Sequence, residues 1–333
     1  MAKRTIAQAL NAAHHAVMAT DNRVVVIGED IVGGSDVDGT VELGGAFGVT
    51  KGLAQAFGRD RVIDTPISEA AFVGMATGAA LTGLRPIVEV MFCDFLGVCF
   101  DQLLNQTAKL RFLSGGRVAL PLVMRTTMGA GDGSGAAHSQ SLHGLMAGVP
   151  GLTIACPATA ADAAGLLKSA VMSDSPVILF EHKGLYGLEG EVADGLPPVP
   201  LGQGRIARDG QHISIVATAA MLHQALDAAG QLAASGIEAE VIDPRTIQPL
   251  DSAMILSSLA KTGHLLVVDE GAAFAGLADA VLSLAVQQGF ASLKAAPKAL
   301  TPLHTPVPYG RAAEAAWLPD AGDIVTAVRA MLA

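Results

Sequence analysis

Short apolar runs alternate with longer segments of helical periodicity along the chain. The runs are uniformly apolar, which is typical of strands that are buried on both faces of a sheet. Predicted strands cover residues 23–28, 121–125, 151–156, 176–181, 214–218, 239–243 and 264–268, and two further strands end at Asp64 and begin at Pro86. Predicted helices cover residues 3–20, 50–57, 95–112, 159–172, 220–235, 250–261 and 274–288. This alternation indicates an α/β protein with parallel sheets that carry helices on both faces.

One further predicted helix, residues 68–83, combines a face of small residues with a single acid. Ala70, Gly74 and Gly78 are spaced by four and therefore share one face, which another backbone can approach closely. Glu69 lies in the first turn, where the helix dipole favours a carboxylate. From these residues alone, a capping acid on a core helix is the simpler interpretation.

The length of 333 residues exceeds the size that single cores usually reach, so two domains are expected. Residues 188–203 carry prolines without periodicity and are typical of a linker. We therefore expect domains at residues 1–187 and 204–333. Residues 31–48 and 128–141 are glycine-rich loops, and long loops in compact domains are usually functional.

The composition excludes several classes of protein. A net charge of -10 provides no basic surface for nucleic acid. The mean hydropathy of +0.46 is high, but no run approaches the roughly 18 apolar residues of a membrane span, so the surplus apolar surface is expected between subunits. The start of the chain has no signal-peptide pattern, and Cys93, Cys99 and Cys156 have no metal-binding spacing. A reduced, cytoplasmic protein is expected.

The loop after the strand at 121–125 contains two motifs that fail on their context. The glycines at 131 and 133 loosely fit a dinucleotide fingerprint, but no helix begins there. Gly131-Asp132-Gly133 is how thiamine enzymes begin a magnesium site, yet no asparagine follows Asn105 to complete it. His138 in the same loop is a candidate catalyst, with a structural hydrogen-bonding histidine as the alternative.

Several segments together resemble one family. They are Val62–Glu69, Gly83–Ile87, Met91–Phe95, Ser114–Gly116, His138–Gln140, Val149–Leu152 and Val241–Ile247. In these segments the chain resembles the beta subunit of the thiamine-diphosphate-dependent first component of 2-oxo acid dehydrogenase complexes. The resemblance runs from the first helix to the proline-rich tail. Three segments look most like the acetoin dehydrogenase branch of that family: Glu89–Gln102, Glu181–Tyr186 and His304–Pro308.

The resemblance implies a fold, a cofactor and partners. The fold would be a transketolase-type pyrimidine-binding domain followed by a transketolase-type C-terminal domain. The cofactor would be thiamine diphosphate, whose magnesium and diphosphate are held by an alpha subunit in an α2β2 heterotetramer. The beta subunit would hold the aminopyrimidine. Its C-terminal domain would build the beta-beta contact and dock on a lipoyl acyltransferase core.

The resemblance also implies roles for individual residues. Glu69 would hydrogen-bond the pyrimidine nitrogen and share a proton with it. Phe95 would stack on the ring, with Met91 as its apolar neighbour. His138 would act in proton transfer and in acyl transfer to the lipoyl group. Family members commonly carry Gln before this histidine, whereas this chain has Ala137, so one hydrogen bond that orients the histidine would be lost.

The family often binds potassium through main-chain carbonyls, and the matching positions are Leu122, Ala170, Val171, Ser173 and Ser175. The expected activity is cleavage of acetoin with transfer of the acetyl unit to lipoyl. Two alternatives stay open at this point. The chain could belong to a pyruvate or branched-chain 2-oxo acid dehydrogenase, or it could be a non-catalytic assembly subunit.

Overall fold

The computed structural model describes residues 1–32 and 44–333, so most of the glycine-rich loop predicted at 31–48 lies outside the described residues. The chain forms two compact units. The first unit comprises residues 1–128 and 147–201, and the second comprises residues 129–146 and 202–333.

The regular elements follow one another along both units. The strands are β1 (Ala2–Thr5), β2 (Val24–Gly28), β3 (Val62–Asp64), β4 (Arg85–Phe92), β5 (Val123–Met128), β6 (Thr153–Ala155), β7 (Val177–His182), β8 (Glu189–Val192), β9 (Arg205–Arg208), β10 (Ile213–Ala217), β11 (Ala239–Asp243), β12 (Thr246–Gln248), β13 (Leu265–Val268) and β14 (Lys298–Leu300). The helices are α1 (Ile6–Thr20), α2 (Leu53–Phe57), α3 (Glu69–Leu81), α4 (Leu110–Leu113), α5 (His143–Ala147), α6 (Ala160–Met172), α7 (Ala219–Ala233), α8 (Ser252–Thr262), α9 (Leu277–Gln288), α10 (Arg311–Trp317) and α11 (Ala321–Leu332).

The main sheet of the first unit is parallel. Its strands are ordered β6-β7-β5-β4-β2-β3. Strands β2, β5 and β7 are buried along their whole length, as expected for a sheet that is covered on both faces. The parallel α/β architecture predicted from the apolar runs is therefore confirmed.

Helix α1 begins later than predicted. Residues 2–5 form strand β1, which pairs antiparallel with β8. Thr5 then caps the helix: its hydroxyl accepts the Gln8 N–H (3.2 Å), and the Gln8 side chain accepts the Thr5 N–H (3.0 Å). Strand β8 lies within residues 188–203, which the sequence pattern assigns to a linker.

The prediction of a single helix at 95–112 is wrong. The segment consists of a 3-10 turn (Cys93–Gly97), a π turn (Gln102–Thr107) and the short helix α4. Thr107 at the end of the π turn is fully buried, and its hydroxyl hydrogen-bonds the buried Thr77 hydroxyl of α3 (2.7 Å). A buried hydroxyl needs such a partner, and helical periodicity does not reveal it.

The second unit has a smaller sheet with the order β14-β13-β10-β11-β9. The first four strands are parallel, and β9 adds to β11 in the antiparallel direction. Among the described residues, no helix is both long and apolar enough to span a bilayer.

Residues 129–146 group with the second unit, although the sequence pattern places them in a domain at 1–187. The Glu314 carboxylate explains this grouping, because it accepts the N–H groups of Gly131 (2.7 Å), Gly133 (2.7 Å) and Gly135 (2.9 Å). Burial opposes the charge, but these three hydrogen bonds outweigh it and lower the pKa of Glu314. The domain boundaries at 187 and 204 stay a prediction.

Candidate functional site

Glu69 is the first residue of α3 and is only 7% exposed. The helix begins where predicted. Ser68 precedes it, and its hydroxyl donates to the Pro66 carbonyl (3.0 Å). The carboxylate of Glu69 is therefore placed at the positive end of the helix dipole, largely away from water.

Glu69 contributes to the raised pKa values of two neighbouring groups. Burial raises the pKa of the Glu29 carboxyl, and the charges of Asp30 and Glu69 raise it further. Burial also raises the pKa of the Cys99 thiol to about 12, with a further contribution from Glu69. Cys99 is thus an unreactive thiol, and its burial shows that Glu69 has an apolar neighbour.

Cys99 also connects Glu69 with the predicted stacking residue. Its sulfur lies 3.9 Å from the Phe95 carbonyl, to which the thiol donates a weak hydrogen bond. Phe95 is half-buried and meets Phe92 edge to face, with 5.6 Å between the ring centroids. Phe92 in turn meets Phe47 at 5.8 Å. Sequence reasoning missed Phe47 and Phe92, which extend the aromatic contacts of Phe95.

Met91 sits at a bulge of β4. The register with β5 pairs Val90 with Thr126 and Phe92 with Thr127, so Met91 is the extra residue. The buried Thr127 hydroxyl donates to the Met91 carbonyl (2.6 Å). The bulge changes the direction of the chain just before the Phe95 turn, and the hydrogen bond from Thr127 stabilises the bulge. No pattern in the sequence singles out Thr127.

A buried ion-pair network lies in the sheet next to this bulge. The Arg125 guanidinium donates two hydrogen bonds to Glu181 (2.7 and 2.8 Å) and one to Glu89 (2.5 Å). Tyr186 donates to the same Glu181 (2.6 Å). Burial favours the neutral form, yet Glu181 and Glu89 raise the pKa of Arg125. Gly45, at φ 80°, leaves room for this network, because a Cβ there would lie 2.5 Å from Glu89 Oε1.

The small-residue face of α3 is only partly covered within the first unit. A Cβ on Gly74 would meet the Gln102 side chain at 3.4 Å, whereas a Cβ on Gly78 would meet nothing within 4 Å. Met75 on the same helix is 48% exposed, and Ile67 just before it is 77% exposed. This face is open along the part that carries Gly78.

His138 belongs to the second unit, whereas Glu69, Met91 and Phe95 belong to the first. The backbone N–H of His138 donates to the Gly135 carbonyl (3.2 Å), which closes a short 3-10 turn over residues 135–137. The neighbouring residues Gln140 and Ser141 line a cavity of about 330 Å³ together with Glu270.

A buried pair of side chains connects residues 129–146 to Asp269. His143 Nε2 lies 3.0 Å from the Asp269 carboxylate, and both side chains are 1% exposed. Burial opposes protonation of the imidazole, but the charge of Asp269 outweighs it and raises the pKa of His143. The sequence pattern does not indicate this pair.

The five carbonyls that match the family's potassium ligands all accept hydrogen bonds from the protein. Leu122 accepts the Val177 N–H (3.0 Å), and Ala170 accepts the Ser173 N–H (3.1 Å). Ser175 accepts the Ser173 hydroxyl (2.9 Å). The remaining two, on Val171 and Ser173, accept the Arg85 guanidinium. Because Arg85 already places a positive charge on the carbonyls of Val171 and Ser173, these two do not fit a metal cation.

Comparison with known proteins identifies the family. The sequence profile of the transketolase pyrimidine-binding domain matches residues 2–189, and that of the transketolase C-terminal domain matches residues 202–324. The acetoin:2,6-dichlorophenolindophenol oxidoreductase subunit beta of Cupriavidus necator is 48% identical over 98% of this chain and 97% of its own length. The chain belongs to the transketolase-type beta-subunit family.

Other members of the beta-subunit family cover the chain equally well. The corresponding acetoin oxidoreductase subunit of Bacillus subtilis is 45% identical, and the pyruvate dehydrogenase E1 component subunit beta of Rickettsia conorii is 39% identical. Each alignment covers 98% of this chain and 97% of the relative. A solved split-gene transketolase, described as an inactive beta4 tetramer, superposes with a TM-score of 0.79 over 98% of both chains. At 24% identity this likeness shows the fold alone.

Proposed function

We propose that the chain is the beta subunit of a thiamine-diphosphate-dependent acetoin dehydrogenase, which cleaves acetoin and transfers the acetyl unit to a lipoyl group. The observation that carries the proposal is the near full-length likeness to two acetoin oxidoreductase beta subunits, at 48% and 45% identity. Glu69, Met91 and Phe95 of the resemblance are all present in the first unit.

The surroundings of Glu69 fit the aminopyrimidine of thiamine diphosphate. When bound, that cofactor supplies the carbanion chemistry that an acyl cleavage needs. Glu69 would share a proton with the pyrimidine nitrogen, and its carboxylate is mostly shielded from water. The Phe95 ring and the Met91 side chain would provide apolar contacts to the heterocycle without exchanging protons.

His138 is proposed to move protons during acyl transfer to the lipoyl group. An imidazole suits this role because its ordinary pKa lies close to working pH. The 3-10 turn at residues 135–137 fixes the backbone just before it. Ala137 stands where family members commonly carry Gln, so this chain orients His138 without that side chain.

An alpha subunit is proposed to hold the magnesium ion and the diphosphate. In this chain the N–H groups of Gly131 and Gly133 donate to Glu314. No asparagine follows Asn105 to complete a magnesium site. The open face beside Gly78 and Met75 suits close contact with another subunit.

The proposed assembly is an α2β2 heterotetramer that passes acetyl units to a lipoyl acyltransferase core. Its C-terminal domain is proposed to provide the beta-beta contact and the docking surface for that core. The proposed compartment is the cytoplasm, whose reducing conditions suit the three buried free thiols.

A pyruvate dehydrogenase beta subunit is the second candidate, because the relative from Rickettsia conorii is 39% identical over nearly the full length. The same assay also tests whether the chain belongs to a branched-chain 2-oxo acid dehydrogenase. The chain would be co-expressed with its alpha subunit and supplied with thiamine diphosphate and magnesium. Dye reduction would then be measured with acetoin, pyruvate and 2-oxoisovalerate.

We expect kcat/KM for acetoin to exceed that for either 2-oxo acid by about tenfold or more. Higher kcat/KM for pyruvate would reassign the substrate while leaving the family membership intact. If no substrate reduces the dye although the two subunits co-purify, the chain is a non-catalytic assembly subunit.

A further inference from the structure

Arg85 projects from the start of β4 to the end of helix α6 in the same unit. Its Nη1 donates to the carbonyls of Val171 (2.7 Å) and Ser173 (3.0 Å). Its Nη2 donates to the Asp174 carboxylate (2.8 Å). The side chain is 16% exposed. One guanidinium thus binds both the main chain and the acid of the turn that follows α6.

A positive charge is favoured at this place. The last carbonyls of a helix carry the negative end of the helix dipole, and α6 ends at Met172, between the two carbonyls that Arg85 binds. A guanidinium stays protonated at any working pH and presents its donors in a fixed plane. Arg85 therefore supplies a permanent cation at the end of the helix.

The same two carbonyls belong to the set of five that match potassium ligands elsewhere in the family. A potassium ion coordinated by Val171 and Ser173 would lie within a few ångströms of the guanidinium, where like charges repel strongly. The side chains of the turn add little to offset this, because residues 173 and 175 are serines and Asp174 is already paired with Arg85.

We infer that Arg85 takes the place of the monovalent cation, so that this chain holds the turn after α6 with its own guanidinium and binds no potassium there. The turn is then stable whatever the potassium concentration. This inference concerns stability and does not depend on the substrate of the enzyme.

Thermal unfolding of the full chain tests the inference. Tm would be measured in potassium chloride and in choline chloride at equal ionic strength, for the wild type and for Arg85→Met. We expect the wild type to give the same Tm in both salts. Arg85→Met should lose about 5 °C in choline chloride, because two carbonyls lose their donor, and should recover much of this loss in potassium chloride.

Arg111→Met is the matched control. Arg111 donates to the Asp174 carbonyl of the same turn, which is not one of the five. Its removal should lower Tm equally in both salts. Arg85→Lys, which keeps a cation at the position, should remain insensitive to potassium.

Two results would overturn the inference. One is a saturable rise of the wild-type Tm with potassium, which would show that a cation site coexists with Arg85. The other is an Arg85→Met variant whose Tm does not respond to potassium, which would show that Arg85 is only a structural pair. The wild-type comparison remains decisive if Arg85→Met does not fold.

Discussion

At the scale of single residues, Glu69 was predictable as an acid in the first turn of a helix but not as a buried one. Its position followed from Ser68 and the small residues after it. Its 7% exposure depends on how distant segments of the chain pack around α3, which the local sequence does not encode. The role of this carboxylate is therefore implied by the family resemblance and not by the helical pattern.

Replacement of Glu69 by Gln should abolish activity and spare the fold. The amide keeps the shape but cannot exchange a proton with the pyrimidine nitrogen, so kcat of the assembled enzyme should fall by about 10²–10³-fold. Tm should stay within a few degrees of the wild type. Glu191→Gln, on an exposed acid of the same unit, serves as the control and should keep full activity. Wild-type activity in Glu69→Gln would remove Glu69 from the proposed site.

His14 offers a test of pH dependence. It is fully buried in α1, and its Nδ1 lies 2.8 Å from the Leu10 carbonyl. Burial lowers the pKa of His14 to about 3, and the charge of Arg125 contributes. The unfolded chain, with an ordinary histidine pKa near 6.5, takes up this proton first. Stability from the neutral imidazole is therefore complete above pH 6.5 and is lost as the pH falls toward 3.

As the pH falls from 7 to 4.5, His14 should lower the free energy of unfolding by about 2–3 kcal/mol. In His14→Gln the fall in stability over that range should be smaller by this amount, as measured by urea unfolding at each pH. Met18→Ala, a core variant in the same helix, should lower stability at every pH without changing the slope. An unchanged slope in His14→Gln would contradict the assignment.

At the scale of elements, helix α3 and strand β4 form close to where their patterns predicted them. The bulge in β4 was not predictable, because nothing at Met91 distinguishes it from a regular strand residue. It depends on a hydroxyl from the neighbouring strand, since Thr127 donates to the Met91 carbonyl. The predicted helix at 95–112 failed for a similar reason, namely the buried contact between Thr107 and Thr77.

The bulge yields a matched pair of variants. Thr127→Val removes the hydroxyl that holds Met91, and the apparent affinity for thiamine diphosphate should fall by about 5–30-fold, as expected for the loss of a buried hydrogen bond. Among the described residues, the adjacent Thr126 hydroxyl is buried without a hydrogen-bond partner. Thr126→Val should therefore leave the affinity unchanged.

The affinity is measured from the cofactor dependence of dye reduction by the reconstituted enzyme. Thr127→Ser retains the hydroxyl and should restore the affinity. Equal losses in Thr127→Val and Thr126→Val would show that the strand tolerates neither change, and the positioning role of Thr127 would be withdrawn.

At the scale of the whole molecule, the pattern of the chain predicted two parallel α/β sheets, and the structure and the family profiles confirm them. Pairings between distant segments could not be predicted from the sequence pattern. Strand β8 formed in a stretch that was predicted to be a linker, because β1 lies beside it. Residues 129–146 grouped with the second unit through Glu314, which no local pattern connects to the glycines it binds.

Large apolar side chains remain exposed on the first unit. Phe112 is 85% exposed, Ile67 is 77% exposed and Met75 is 48% exposed. Exposed apolar residues of this size commonly mark contacts between proteins. Together with the magnesium motif that this chain lacks, they support an enzyme that is complete only when a second kind of subunit is present.

We propose that this chain contributes half of a shared active site, and reconstitution from purified subunits is the sharpest test. Purified chain would be titrated into a fixed amount of purified alpha subunit with thiamine diphosphate and magnesium, and acetoin-dependent dye reduction would be measured. We predict no activity from either subunit alone and a rise to a plateau at equimolar chains. Equal activity from the isolated chain would show that the active site is not shared.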